Sequence, residues 1–328
     1  MLTLPRLSRV LIAVVAAGLV ASACGGGGSD NKQTVSFACT NGGHPLALPS
    51  PIQAIAGSHS SFGLVCGQSA LVTGTDIFSF GLVTSAGGLL AGGSPQVWVA
   101  TGGASRALGP FTAHPYQFTA YQRSGDTSPL TPLTSFYAAE VRIPTPGRWT
   151  VAVKVSGSAA GAGTANIAVV PPSQAVHPVG SKAVSTPTPV ARSEAQARRI
   201  CTRKPKPDPL HYISLDKALK NGKPTVVTFA TPLLCTSKVC GPVVDEVTAV
   251  YDQVGRAKAN FIHVEEFLPG RDLKPPPATL ENQSPGFKAW GLVTEPWTFV
   301  IDRHGIIRAR FEGPVVASEI EFALQPLL

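Results

Sequence analysis

The sequence predicts two domains of different class, an all-β sandwich followed by an α/β unit, and three observations carry that prediction. The chain has 328 residues, roughly two to three times an average domain. Its first half consists of short apolar runs separated by glycine and proline, with almost no helical periodicity. From Leu210 onward, runs with strand and helix character alternate. Hydrophobic residues make up 44% and charged residues 14% of the chain, which excludes a disordered, charge-rich protein. The 33 glycines and 30 prolines follow no three-residue period, so a collagen-like chain is excluded too. A single Met argues against a Met-rich recognition groove.

Residues 1–23 carry Arg6 and Arg9, then an apolar run, then the small residues Ala21, Ser22 and Ala23, which is the pattern of a signal peptide. The apolar run has about ten to fourteen residues, short of the roughly twenty that a spanning helix needs. Cys24, directly after the small residues, resembles the modified cysteine of bacterial lipoprotein signals. That resemblance implies lipidation of Cys24, a membrane partner through the lipid, and an extracytoplasmic location at the bacterial cell membrane. A plain secretory signal is the alternative. Residues 24–32 then form a Gly-rich polar tether. Outside the cytoplasm disulfides persist, so the six cysteines are read with pairing in mind.

Residues 33–170 form the expected β-sandwich domain. Strands are predicted at 69–72, 77–83, 96–100, 136–143, 149–155 and 166–170. Alternation is clearest where Trp149, Val151, Val153 and Val155 share one face of a strand and Thr150, Ala152 and Lys154 the other. The stretch YAAEVRIPTPGRWTVAVKV, with Pro146 and Gly147 turning before Trp149, resembles the last hairpin of immunoglobulin-like sandwiches. Cys39 and Cys66 are expected to form a structural disulfide, worth about 3 kcal/mol by loop entropy. A metal site built from them with His44 and His59 lacks any close Cys or His pair, and no metal site is predicted.

Residues 171–209 read as a Pro-rich basic linker. From Gly180 to Pro224 there are ten Lys or Arg against three Asp or Glu, a net of +7, whereas the whole chain carries +8. A solvated spacer is the expectation, with anionic lipid headgroups as an alternative partner. No aromatic or recognition-helix pattern accompanies the charge, so no nucleic-acid partner is expected. Cys201 lies in this linker without an evident intramolecular partner.

Residues 210–328 are the expected α/β domain. A buried strand at 225–230 precedes helical spacing at Val243, Val247, Val250 and Val254; a second strand covers 260–264. A hairpin follows from 297–301 and 306–311 around the turn at 302–305, and a last helix spans about 316–324. This βαβ then ββα order, the pair Cys235 and Cys240, the helix beginning near Pro242, and Pro296 before TFVID together resemble thioredoxin-like thiol-disulfide oxidoreductases. The resemblance covers about 115 residues. It implies a thioredoxin-like fold, protein thiols or disulfides as substrates, a further redox partner, and a cis-proline at Pro296 packed beside the cysteines. No cofactor is expected.

A helix amino terminus favours thiolate, so Cys235 is the expected nucleophile and Cys240 the resolving cysteine. Thr236 or Ser237 are expected caps, and Lys238 adds positive charge. Cysteines five apart in a regular helix have Cα atoms roughly 8–9 Å apart, whereas a disulfide needs less than about 7 Å. Bridging therefore requires Cys235 to lie outside the helix or the first turn to unwind. A permanent structural bridge in a non-catalytic binding or scaffold lipoprotein is the alternative. Two related families also carry similar cysteine spacings. Q-type peroxiredoxins place an Arg, and Sco-type copper chaperones a His, where this chain has Pro296. His263 and His304 are read as a strand residue and a turn residue. Thr228 stands where thioredoxins carry a buried Asp, and Glu295, before the proline, is a carboxylate that opposes thiolate formation. Glu265 and Glu266 are read as solvated strand-end residues.

Overall fold

The computed structural model describes residues 47–57, 60–124, 134–158, 160–235, 237–269 and 278–328. The chain divides into Met1–Thr34, which lies outside the described residues and includes the expected signal peptide and Cys24, and Val35–Leu328. Cys39 also lies outside them. Among the described residues no helix is long and apolar enough to cross a membrane.

Eight strands form the first sheet: β1 (Gly63–Cys66), β2 (Ala70–Val72), β3 (Gly74–Val83), β4 (Gln96–Ala100), β5 (Leu108–Gln117), β6 (Ser135–Ile143), β7 (Gly147–Val155) and β8 (Gly161–Val170). Their order is β1-β3-β6-β5-β4-β7-β8-β2. β5 makes this one continuous curled sheet, because Leu108, Phe111 and Thr112 pair with β4 while residues 113–117 pair with β6. Two separate sheets of immunoglobulin type are therefore not what is shown. β5 escapes the sequence pattern because Pro110 and Pro115 interrupt its run.

The inner face of the curl holds Phe78, Phe80, Tyr137, Trp149, Val151 and Val153. Phe78, Phe80 and Tyr137 stack in series, with centroids 5.0 and 5.5 Å apart. On β7 the expected alternation places Trp149, Val151, Val153 and Val155 inside, but Thr150 and Ala152 on the other face are also buried and of those three only Lys154 is exposed. Helix α1 (Ser50–Ala56) covers that face with Ile52. Cys66 is buried and disulfide-bonded.

The second sheet contains β9 (Thr225–Phe229), β10 (Asn260–Val264), β11 (Trp297–Ile301) and β12 (Ile307–Glu312) in the order β10-β9-β11-β12. β9 and β10 are parallel, and β11 runs antiparallel to both β9 and β12. A parallel pair cannot be joined by a tight turn. Here the crossover contains α5 (Cys240–Val254), while the antiparallel β11 and β12 need only the 302–305 turn. The remaining helices are α2 (Thr119–Ser124), α3 (Glu194–Ala197), α4 (Leu215–Ala218), α6 (Pro285–Trp290) and α7 (Ala317–Leu324).

β6 belongs to two cores at once. Tyr137, Ala139 and Val141 point into the curled sheet, whereas Phe136 and Ala138 pack with Val243, Val247 and Val250 of α5 and Ile320 of α7. Period-2 alternation thus places both faces of one strand in apolar surroundings. Helix α5 consequently buries polar positions as well. Glu246, 1% exposed, accepts hydrogen bonds from the backbone N–H of Ala120 at 2.8 Å and of Ala317 at 3.0 Å. One carboxylate therefore serves the amino-terminal turns of both α2 and α7, where unpaired donors and positive dipole favour an anion.

The solvated-spacer expectation for residues 171–209 is corrected. Ala183, Thr186, Thr188, Ala197, Cys201 and Thr202 are all buried. Lys182 bridges Ile306, and the Thr188 hydroxyl accepts from the Leu215 N–H at 3.0 Å. His177 packs on Trp290 with ring centroids 4.6 Å apart. The basic residues of this stretch mask small and β-branched residues that fit against the second sheet.

Candidate functional site

The β9 strand ends at Phe229, and the chain then makes a short turn before α5 begins at Cys240. Cys235 lies in that turn, outside the helix. Its Cα is 6.0 Å from that of Cys240, and the two form a disulfide. The geometric requirement set by the spacing is met by excluding Cys235 from the helix. The Cys240 backbone N–H, at the first turn of α5, donates to Cys235 Sγ at 3.3 Å. The Ser237 hydroxyl lies 3.1 Å from the same sulfur.

The expected capping is corrected. Val239 occupies the N-cap position and no side chain caps the helix; Thr236 lies outside the described residues. The Cys240 N–H of this first turn is directed at the cysteine turn. Lys238 has φ +61°, a left-handed conformation that is unfavourable for a residue with a Cβ. Both cysteines are nearly inaccessible, Cys235 at 3% and Cys240 at 0% exposure. Ala230 and Val244 complete their apolar surroundings.

The Glu295–Pro296 peptide bond is cis, and Pro296 opens β11. One carboxylate oxygen of Glu295 and the two cysteine sulfurs all lie within 4.8 Å of one another. Although Glu295 as a whole is half-buried, its Oε2 is inaccessible and has no hydrogen-bond partner. Burial, followed by the negative charges of Glu266 and Glu265, pushes this carboxyl well above its usual range; hydrogen bonding with Thr231 opposes the rise. Thr228 carries no carboxylate to the site. It is fully buried and pairs through its hydroxyl with Thr298 at 3.1 Å. The ionisable group beside the sulfurs therefore comes from the residue before the cis-proline, not from the strand before the cysteines.

A second polar cluster lies at the far end of β10. The Cys201 thiol donates to Asp208 Oδ2 at 3.1 Å, and His263 Nδ1 is 2.7 Å from the same oxygen. His263 Nε2 donates to the Ala230 carbonyl at 2.9 Å. His211 Nε2 lies 3.5 Å from Asp208 Oδ1 without forming a hydrogen bond. Burial alone would raise Asp208, but the His263 and His211 rings hold it well below its usual range. Burial would lower His263, but the Asp208 carboxylate raises it to about 9. Cys201 is pushed well up by burial and then by Asp208.

Two readings from the sequence are corrected here. Cys201 has no disulfide partner, as expected, but it is not open to other thiols, because it is 5% exposed and hydrogen-bonded to Asp208. Glu265 is not solvated; it is buried and accepts from the Thr202 hydroxyl at 2.8 Å. Burial raises its carboxyl to about 7, opposed by His263 and by the Thr202 hydrogen bonds. The participation of Asp208, His211 and Thr231 was missed. Only the DPLH run, with Asp208 and His211 three apart, offered a local signal. His304 sits in the β11–β12 turn, as expected, with its N–H on Asp302.

No protein-family model matches the sequence, and no curated protein does. Among solved structures, the chain is similar to a thiol:disulfide interchange protein of the thioredoxin family from Chlorobium tepidum TLS. That match has 17% identity and a TM-score of 0.25, covering 45% of this chain and 99% of the other. It is also similar to domains 4 and 5 of the S-layer protein SbsC, with 16% identity and a TM-score of 0.19, covering 34% of this chain and 47% of the other.

Proposed function

We propose that the chain is a thiol-disulfide oxidoreductase with a thioredoxin-like second domain, held outside the cytoplasm by a lipid on Cys24 and acting on protein thiols. The observation that carries this reading is the convergence on one disulfide of a helix amino-terminal N–H and a buried carboxyl oxygen. The N–H favours negative charge on Cys235, which makes Cys235 the sulfur exchanged with substrate.

In the oxidising direction, a substrate thiolate attacks Cys235 Sγ and the Cys235–Cys240 bond breaks. Cys240 leaves with the bonding electron pair and takes the Glu295 proton. The Glu295 carboxylate then removes the proton of a second substrate thiol. That thiolate attacks the substrate sulfur of the mixed disulfide and releases Cys235 as thiolate beside the Cys240 N–H. The substrate leaves with one new disulfide, the protein with two reduced cysteines, and a further redox partner restores the pair. Pro296, in place of an Arg or a His, disfavours both peroxidase and copper-chaperone chemistry at this site.

The low exposure of both sulfurs favours one second reading, a permanent bridge in a binding or scaffold protein. Exchange requires the 231–239 turn to open. The Cys240→Ser variant is expected to accumulate a dithiothreitol-sensitive adduct with a disulfide-containing protein substrate, the Cys235 thiolate attacking one substrate sulfur and the other leaving as thiolate, and Cys235→Ser to form none through that position. Failure of Cys240→Ser to form any adduct supports the permanent bridge.

A further inference from the structure

We propose that Cys201, Asp208, His211 and His263 form a binding site for one divalent metal ion of the zinc class, separate from the cysteine pair. One donor atom from each residue lies within 4.8 Å of all the others, and all four residues are buried. Donors around a four-coordinate zinc sit about 3.3–3.8 Å apart, given bond lengths of about 2.0–2.3 Å. The contacts to Asp208 Oδ2 of 3.1 Å from Cys201 and 2.7 Å from His263 are shorter than that spacing, and the 3.5 Å contact from His211 to Oδ1 falls within it. Small side-chain adjustments therefore suffice to admit an ion.

The side chains are also held as ligands require. A carbonyl oxygen can only accept, so the contact to Ala230 fixes the proton of His263 on Nε2 and directs Nδ1 toward the cluster. The Leu210 N–H donates to Asp208 Oδ1 at 3.0 Å and orients the carboxylate. His211 Nε2 supplies an independent indication. It is buried, has no hydrogen-bond partner, and faces the Asp208 carboxylate in a residue only 4% exposed. A buried polar atom without a partner is costly, and coordination removes that cost.

Asp208 and His211 also line a cleft of about 550 Å³, with Glu194 and Asp252 on its walls as well as Arg203 and Lys206. The cleft gives an ion a route to the cluster, and Arg203 is paired with Asp245. One thiolate, one carboxylate and two imidazoles suit zinc rather than magnesium or calcium, which favour all-oxygen shells. One thiolate and one carboxylate together balance the two charges of the ion. The donors span residues 201 to 263, so an ion here ties the 171–209 segment to β10.

The test is titration of the full chain with cobalt(II), and separately with zinc(II), after chelation and with the Cys235–Cys240 disulfide intact. One equivalent of cobalt is expected, with a sulfur-to-cobalt charge-transfer band and the intense visible bands of tetrahedral coordination. Cys201→Ser should abolish the charge-transfer band. His211→Gln, which removes the Nε2 atom that has no hydrogen-bond partner, should weaken binding by more than the roughly 10- to 100-fold that an outer-shell change costs. The Cys235→Ser/Cys240→Ser double variant should bind as the wild type does. Absence of cobalt and zinc uptake by the oxidised chain overturns the proposal, as does uptake unchanged by His211→Gln.

Discussion

Glu295→Gln is expected to slow thiol-disulfide exchange about 100-fold near neutral pH, the lower end of what a positioned acid or base contributes. Gln keeps the size and polarity of the side chain but cannot give a proton to Cys240 or take one from a substrate thiol. The same substitution has a separate thermodynamic signature. In the oxidised protein, burial raises the Glu295 carboxyl above its ordinary value of 4.5. The unfolded chain then loses its proton near pH 4.5 while the folded chain keeps it. Folding stability therefore falls as pH rises from about 4.5 toward the raised value, by up to about 1.4 kcal/mol per pH unit from this group. Urea unfolding of oxidised wild type and Glu295→Gln across that range should show the difference between them widening with pH in favour of Gln. Parallel curves and an unchanged exchange rate together contradict the role given to Glu295.

Glu246→Ala is expected to destabilise the protein by about 3–5 kcal/mol, from two hydrogen bonds to a charged acceptor worth about 1.5–3 kcal/mol each. The backbone N–H groups of Ala120 and Ala317 lose their shared partner at a site that is 1% exposed. Glu246→Gln retains one acceptor oxygen and should cost about half as much. Because α2 lies between β5 and β6 of the first sheet and α7 follows the last strand of the second, the loss should appear as one cooperative shift of the urea midpoint. A cost below about 1 kcal/mol, or two separate transitions, contradicts the shared core around β6 and α5.

The second sheet was legible because β9, β10 and β11 are largely apolar runs, β12 alternates, and clear turns bound them. The predicted 260–264 and 297–301 runs coincide with β10 and β11. The curled sheet was harder to read. β5 carries two prolines within a run that pairs first with one neighbour and then with another. Helix α6 was missed because Pro285 and Gly286 read as loop, although Ser284 before Pro285 is a helix-start signal, and its side chain accepts from the Phe287 N–H. Residues 171–209 misled through composition, since their many basic residues read as solvated while Thr186, Thr188, Cys201 and Asp208 turn inward.

The cysteine pair was legible from spacing alone, and so was the demand that Cys235 leave the helix. The proximity of Glu295 to both sulfurs was not, because residues 55 and 60 apart in sequence meet only through the β9–β11 pairing. The cluster around Asp208 is further still from any short motif, since Cys201, His211 and His263 lie on three different segments.

The central claim is that Cys235 and Cys240 exchange electrons with other thiols, and the reduction potential of this pair in the full chain tests it most directly. Equilibration in graded glutathione or dithiothreitol buffers, followed by alkylation and mass analysis of Cys235 and Cys240, gives the midpoint. The account predicts a value in the exchange-active range of about −120 to −270 mV. A midpoint below about −300 mV, where structural disulfides resist reduction, contradicts it.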